Sequence, residues 1–130
     1  MKLFLDTNIF IAAVTDEPDT GTLAANILDS DHDFLTSTLN LMELRSVLTK
    51  KERLELSQAE AIQDEITADV KVTIPDASDM MDANRLQRET LLYPLDCLIL
   101  ACAQSHDVDL VTFDSELQDT GALSPQTVLE

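Results

Sequence analysis

The sequence is poor in glycine, with only Gly21 and Gly121 among its 130 residues. It therefore lacks the glycine-rich motifs that cradle phosphates or shape a nucleophile turn. There is no Walker loop, no G-x-G-x-x-G fingerprint and no G-x-S-x-G elbow. If the protein handles phosphate groups, the positive charge that they require must come from another source.

Cysteine, histidine and long apolar runs are also scarce. Cys97 and Cys102 lie five residues apart in one predicted helix, on different faces, which predicts two buried free thiols in a reducing compartment. His32 and His106 are isolated from each other, so no zinc pattern is present. No stretch is long enough to span a bilayer and no signal-peptide pattern occurs, so we expect a cytoplasmic protein with no membrane partner.

Basic residues are few as well. Eight Lys and Arg stand against 25 Asp and Glu, for a net charge of −17. Such charge repels itself at low ionic strength, but at molar salt the Debye length falls to about 3 Å and the repulsion is screened. The composition favours a cytoplasm of high ionic strength, as in a halophile. An ordinary acidic protein with a basic partner is the alternative.

Short apolar, strand-like runs alternate with helical patterns along the chain. Hydrophobic residues make up 45% of the sequence, which predicts one folded domain over residues 1–130. We expect an α/β fold, a three-layer α/β/α sandwich around a mainly parallel sheet. The predicted strands are 3–5, 34–36, 70–74, 110–112 and 127–129. The predicted helices begin near residue 7 and cover about 19–29, 37–50, 57–68, 76–90 and 94–105, with a short turn at 114–118 and a capping box at 57–60.

Four carboxylates stand where predicted elements meet. Asp6 ends the first strand, and Asp114 follows the strand at 110–112. Glu43 lies in the first turns of its helix, and Asp96 lies in the first turn of the most apolar helix. Because strand ends and the following helix starts share one edge of a parallel sheet, we expect the four acids to meet there.

Each acid also has a purely structural explanation. Asp6 could turn the chain by bonding to its own backbone, and Glu43 could form a capping pair with Asn40. Asp96 could favour the dipole of its helix, and Asp114 could cap the turn that follows it. Asp96 is the strongest single candidate for function, because a carboxylate beside so apolar a helix needs a partner.

Gathered carboxylates repel one another, and this chain has too few basic side chains to neutralise them. A hard divalent cation such as Mg²⁺ or Mn²⁺, held by oxygen ligands and water, fits this donor set. A metal of this kind clamps phosphoryl oxygens and lowers the pKa of its bound water. It would supply the positive charge that the missing glycine loop leaves unaccounted for.

The motifs around these acids resemble those of the PIN-domain nucleases, and most closely the VapC-like toxins of toxin–antitoxin pairs. They are Leu5-Asp6-Thr7-Asn8, Glu43-Leu44, the run from Asp96 to Ala103, and Val111-Thr112-Phe113-Asp114. The resemblance covers essentially the whole chain. It implies an endoribonuclease that depends on Mg²⁺ or Mn²⁺, a cognate antitoxin and a homodimer.

The resemblance also implies roles for particular residues. The catalytic and metal-site acids would be Asp6, Glu43, Asp96 and Asp114, with Thr7, Asn8, Thr112 and Ser115 as their polar neighbours. RNA binding usually draws on Lys and Arg, and Arg45 is the best candidate for substrate contact because it follows Glu43 so closely. The shortage of cations favours a particular RNA over general RNA degradation.

Three other interpretations stay open. The chain could be a non-catalytic PIN-like module that binds RNA or protein. Asp6 could be the nucleophile of a phosphotransfer enzyme like the haloacid-dehalogenase phosphatases, but their Asp-x-Asp-x-Thr motif is broken here by Asn8. Salt adaptation alone could account for the acids, in which case the four would matter no more than Asp29 or Glu60.

Overall fold

Four short parallel strands form the central sheet of the computed structural model, which covers residues 1–130. They are β1 (Lys2–Leu5), β2 (Asp33–Ser37), β3 (Val70–Thr73) and β4 (Asp109–Val111). Their order is β3-β2-β1-β4, so β1 lies between β2 and β4. The direction of the connections reverses between β1 and β4. In open α/β sheets, the carboxyl ends of strands at such a switch point are where ligands bind.

Helices cover both faces of this sheet, which confirms the predicted three-layer arrangement. They are α1 (Thr7–Thr15), α2 (Thr20–Leu28), α3 (Thr38–Lys50), α4 (Leu56–Asp69), α5 (Ala77–Thr90), α6 (Pro94–Ser105), α7 (Ser115–Asp119) and α8 (Pro125–Leu129). Side chains alternate along a strand, so Leu3 and Leu5 pack with α1 to α4 while Phe4 packs with α5 and α6. The sheet thus separates two hydrophobic cores. No helix combines the length and the apolar content that crossing a lipid bilayer demands.

The helix α6 is apolar nearly all round, as predicted, and lies in the second core. Both of its cysteines are buried and free, so the predicted absence of a disulfide is confirmed. Burial, and then the nearby carboxylate of Asp79, raises the pKa of Cys102 to about 12. Both features make this thiol unreactive, since the thiolate is the reactive form.

Two local predictions are wrong. Residues 127–129, predicted as a strand, belong to helix α8, because Ser124 caps the backbone N–H of Thr127 and Pro125 occupies the first helical turn. The fourth helix begins at Leu56 with Glu55 as its cap, so the predicted capping box over 57–60 is displaced. The side chain of Gln58 accepts the backbone N–H of Glu55 instead.

The two glycines each meet a backbone requirement. A Cβ at Gly21 would lie 3.0 Å from the carbonyl carbon of Asp16, where α1 and α2 approach closely. Gly121 has a φ of 112°, a region that L side chains rarely adopt. Neither glycine lines the cleft that contains Asp6, so no glycine loop contributes there.

Candidate active site

The four predicted acids line one cleft at the carboxyl edge of the sheet. Asp6 immediately follows β1, and Asp114 comes three residues after the end of β4. Glu43 projects from α3, and Asp96 lies in the first turn of α6. The lining is completed by Thr7, Asn8, Ile11 and Val47. The structure therefore brings together four acids from four separate parts of the chain.

The cleft offers mainly carboxylate and other oxygen atoms as metal ligands. No Lys, Arg or His lines it, so no basic side chain in the lining balances the negative charge of its acids. The acids are not packed as closely as the direct ligands of one ion. No three Asp, Glu, His or Cys side chains form a group that could hold a metal as placed. Ionised carboxylates repel one another unless a cation lies between them, and Mg²⁺ is often held by one or two carboxylates with waters completing its shell. The donor chemistry thus fits a hydrated, hard divalent cation.

Asp6 is the most buried of the four acids, with 6% of its surface exposed. Its Oδ1 accepts hydrogen bonds from the backbone N–H of Thr7 at 2.8 Å and from Nδ2 of Asn40 at 3.2 Å. Its Oδ2 accepts the hydroxyl of Thr112 at 2.8 Å. The bond to Thr7 caps α1, so the structural explanation for Asp6 holds alongside its place in the cleft. All three partners donate, which favours the ionised carboxylate.

Thr112 joins the end of β4 to this cluster. Its Oγ1 accepts Nδ2 of Asn8 at 3.0 Å and the backbone N–H of Asp114 at 3.1 Å. Oδ1 of Asn8 in turn accepts the backbone N–H of Phe113 at 3.2 Å. Three of the predicted polar neighbours, Thr7, Asn8 and Thr112, therefore lie in the hydrogen-bond network of Asp6. Ser115, the fourth, is exposed at the start of α7.

Asn40 was not predicted as part of the site, yet its buried side chain contacts Asp6 directly. The structural explanation offered for Glu43 was a capping pair with Asn40, but the cap of α3 is Ser37, whose Oγ accepts the backbone N–H of Asn40 at 3.2 Å. The amide of Asn40 instead reaches Asp6 and Thr7. An Asn placed three residues before a glutamate suggests a helix start, and only the packing of α1 against α3 reveals this contact.

Burial and mutual repulsion perturb the acids of the cleft. Desolvation raises the pKa of Asp6 to about 6; hydrogen bonds from Thr112 and Thr7 oppose the rise, and the charges of Glu43 and Asp96 add to it. The pKa of Asp96 is also raised, by desolvation first and then by the charges of Asp114, Glu43 and Glu116. Glu116 is an acid that the sequence did not single out. These carboxylates are therefore close enough for their charges to repel one another across the cleft.

Asp114 caps a helix and also lines the cleft. Its Oδ1 accepts the backbone N–H of Glu116 at 2.8 Å as the cap of α7, which confirms the structural explanation, and its role as a metal-site acid stays a prediction. Arg45 does not line the cleft. Its guanidinium makes a 3.2 Å ion pair with Glu60 and a 3.5 Å hydrogen bond to Gln63, both on α4. A substrate would have to compete with these partners for Arg45.

Proteins of known family and structure share this architecture. The family model described as PIN domain matches residues 3–123. VapC20 of Mycobacterium tuberculosis, described as a sarcin-ricin loop cleaving toxin, has a TM-score of 0.78 at 19% identity, covering 93% of this chain and 96% of that chain. VapBC2 of Rickettsia felis, bound to a DNA fragment from its promoter, has a TM-score of 0.74 at 20% identity, with coverage of 95% and 97%.

A toxin–antitoxin complex from Klebsiella pneumoniae has a TM-score of 0.72 at 23% identity, with coverage of 95% and 97%. No curated protein matches the sequence significantly. At such identities the structural likeness concerns the fold, and the chemistry has to be argued from the cleft itself.

Proposed function

Because the chain belongs to the PIN-domain family, we propose that it is an endoribonuclease that uses Mg²⁺ or Mn²⁺ to hydrolyse RNA phosphodiester bonds. One observation carries the proposal: four carboxylates from four elements line a cleft that contains no basic side chain. Such a set of oxygen ligands suits a hard divalent cation. Without that cation, the cleft would offer no positive charge to a phosphodiester. The residues that would hold the ion are Asp6, Glu43, Asp96 and Asp114.

A divalent cation in this cleft would stabilise negative charge on phosphoryl oxygens and lower the pKa of an attacking water. The chain's own groups have two further tasks. Thr7, Asn40 and Thr112 orient Asp6, and the hydrogen bonds from Thr112 and Thr7 oppose the rise of its pKa. The cleft lining includes no His, Lys or Cys, so a carboxylate must accept any proton that the protein takes from water. Asp96 is the best candidate base, because its pKa is raised and it is partly exposed, whereas Asp6 is buried and already accepts three hydrogen bonds.

The protein has few basic side chains with which to bind the phosphates of RNA. Arg45 remains our proposed substrate contact, and reaching the substrate would require it to leave Glu60. This pair is partly exposed, so opening it costs on the order of 1 kcal/mol or less. Weak phosphate binding favours recognition of a particular RNA over indiscriminate degradation.

An antitoxin protein is the proposed regulatory partner, in line with the toxin–antitoxin complexes of similar fold. An apolar groove between α1, α2 and α4 offers a surface for it, with acids at its rim. Its lining is Phe10, Ala13, Val14, Leu28, Asp29, Phe34, Ile62, Glu65, Ile66, Asp69 and Val70. The apolar floor and acidic rim suit an amphipathic, basic segment. Val14→Lys should weaken the complex in a pull-down with a co-expressed antitoxin, whereas exposed Leu56→Lys should not.

A homodimer is also proposed. Large apolar side chains are exposed on α5, at the start of α6 and between the two helices, namely Met80, Met81, Leu91, Tyr93 and Leu95. Exposed apolar side chains concentrated on two neighbouring helices favour an interface there. Sedimentation equilibrium should give twice the chain mass, and Met81→Lys with Leu91→Lys should give the monomer.

The nuclease proposal is tested by incubating structured RNAs with the protein and Mg²⁺ in high salt, with and without EDTA. Cleavage should require the metal and be lost in Glu43→Gln. The matched control, Asp64→Asn, removes an exposed acid of α4 outside the cleft and should retain activity. Retained RNA binding without cleavage, with equal behaviour in all three proteins, would instead favour the non-catalytic binding module.

A further inference from the structure

Asn40 is fully buried in the first turn of α3, and every polar group of its amide has a partner. Oδ1 accepts the hydroxyl of Ser37 at 2.5 Å. Nδ2 donates to Oδ1 of Asp6 at 3.2 Å and to Oγ1 of Thr7 at 3.0 Å. Ser37 Oγ already accepts the backbone N–H of Asn40, so its hydrogen is free for the amide oxygen. A flipped amide would set an oxygen against the Asp6 carboxylate, so only one orientation is stable.

This contact changes what Asp6 can offer a cation. A carboxylate has about four lone-pair positions, two on each oxygen. On Asp6, Oδ1 accepts from both Thr7 and Asn40, which uses both of its positions. Oδ2 accepts only from Thr112. A single acceptor position therefore remains, and it lies on Oδ2.

We propose, resting on the metal site proposed above, that Asn40 is a positioning residue that makes Asp6 a one-oxygen ligand by occupying its Oδ1. The position of Asn40 also links two acids of the cleft. Glu43 lies three residues further along α3 and so projects from the same side of the helix. One buried amide thus ties the start of α3, the helix that carries Glu43, directly to Asp6.

The number of oxygens that a carboxylate offers affects which cation fits. Mg²⁺ demands near-ideal octahedral geometry, whereas Ca²⁺ accepts six to eight oxygens and takes carboxylates through one oxygen or two. Blocking Oδ1 should therefore favour Mg²⁺ over Ca²⁺. Removing the Asn40 amide would free that oxygen and relax the preference.

The test is isothermal titration calorimetry of the intact chain with Mg²⁺ and with Ca²⁺ at fixed ionic strength. In Asn40→Leu, a substitution of similar shape, Mg²⁺ affinity should fall about tenfold or more, as when other supporting partners of metal ligands are lost. Ca²⁺ affinity should fall far less, so the ratio of the two dissociation constants changes. Ser37→Ala is the matched control: it removes the cap of α3 and lowers the melting temperature but leaves Nδ2 on Asp6, and should keep the wild-type ratio.

The possible outcomes separate this inference from the function that it rests on. No Mg²⁺ binding by wild type would reject the metal site itself. Binding by wild type with an unchanged ratio in Asn40→Leu, or an equal change in Ser37→Ala, would reject the role of Asn40 alone. If Asn40→Leu does not fold, Asn40→Ser replaces the amide with a group too short to reach Asp6, and the same shift in ratio is required of it.

Discussion

The hydroxyl of Thr112 donates a 2.8 Å hydrogen bond to Oδ2 of Asp6, across 106 residues of sequence. Oγ1 of Thr112 also accepts hydrogen bonds from Nδ2 of Asn8 and from the backbone N–H of Asp114. Both lone pairs of the Thr112 hydroxyl oxygen thus accept hydrogen bonds, and its hydrogen is donated to Asp6. One side chain therefore joins the ends of β1 and β4 and holds two of the cleft acids in place.

Thr112→Val should destabilise the protein, because it leaves Asn8 Nδ2 and the Asp114 N–H without an acceptor. A fully buried donor without an acceptor costs about 1–3 kcal/mol, and these two are part-buried, so we expect a loss towards the lower end of that range. Thr112→Ser keeps the hydroxyl and should lose less, since only a methyl group is removed. Urea denaturation in EDTA measures both. Equal losses in the two variants would mean that packing of the methyl group, and not the hydrogen bonds, matters at this position.

The raised pKa of Asp6 predicts a specific dependence of stability on pH. Because the folded pKa, about 6, exceeds the ordinary aspartate value of 3.8, the folded state binds this proton more tightly than the unfolded state does. The stability that this provides is complete below about pH 4 and is lost as the pH rises through about 6, an effect of about 3 kcal/mol without a cation.

This effect is isolated by comparing wild type with Asp6→Asn in EDTA. The variant also loses hydrogen bonds, because its amide must face at least one donor among Thr7, Asn40 and Thr112. That loss lowers the free energy of unfolding of the variant by about the same amount at every pH. The free energy of unfolding of wild type minus that of the variant should fall between about pH 4.5 and pH 7.5. A difference that stays constant across this range would show that Asp6 is not perturbed.

Divalent cations should stabilise the fold. At fixed ionic strength, Mg²⁺ or Mn²⁺ at about a hundred times its dissociation constant adds about 2.7 kcal/mol if it binds only the folded chain. Asp96→Asn should abolish the rise in melting temperature, while Asp64→Asn should preserve it. A rise of the same size in both variants would indicate nonspecific screening of the acidic surface.

Monovalent salt should stabilise the chain by a different route. Raising KCl from about 0.1 M to 1 M shortens the Debye length from about 10 Å to about 3 Å and weakens the self-repulsion of a chain with net charge −17. The melting temperature should rise, and it should rise less in a variant with several exposed acids changed to lysine. An unchanged melting temperature in wild type would argue against adaptation to high ionic strength.

Much of the fold could be predicted from the sequence, because its strands and helices have distinct hydrophobic periods. The runs ending at Leu5 and Val111 are short, apolar and followed by polar residues, which favours buried strands, and α6 is apolar nearly all round. The strand predicted at 127–129 was wrong because β-branched residues there outweighed the Ser124-Pro125 helix start. Three residues are too few for periodicity to decide between strand and helix.

The candidate site was less accessible from sequence. Acids at element boundaries could be located because parallel sheets bring such boundaries to one edge. The tertiary partners of those acids could not be predicted. The contact of Asn40 with Asp6 spans 34 residues, and the ion pair of Arg45 with Glu60 depends on how α3 packs against α4. No local pattern encodes either distance.

The central claim is that Asp6, Glu43, Asp96 and Asp114 together hold a divalent cation. Anomalous diffraction from a crystal of the protein soaked in Mn²⁺ tests it most directly. The account predicts an anomalous peak in the cleft, with Oδ2 of Asp6 as the single Asp6 oxygen facing it. A cleft without a peak, while manganese binds at other acidic surfaces of the same crystal, would contradict the account.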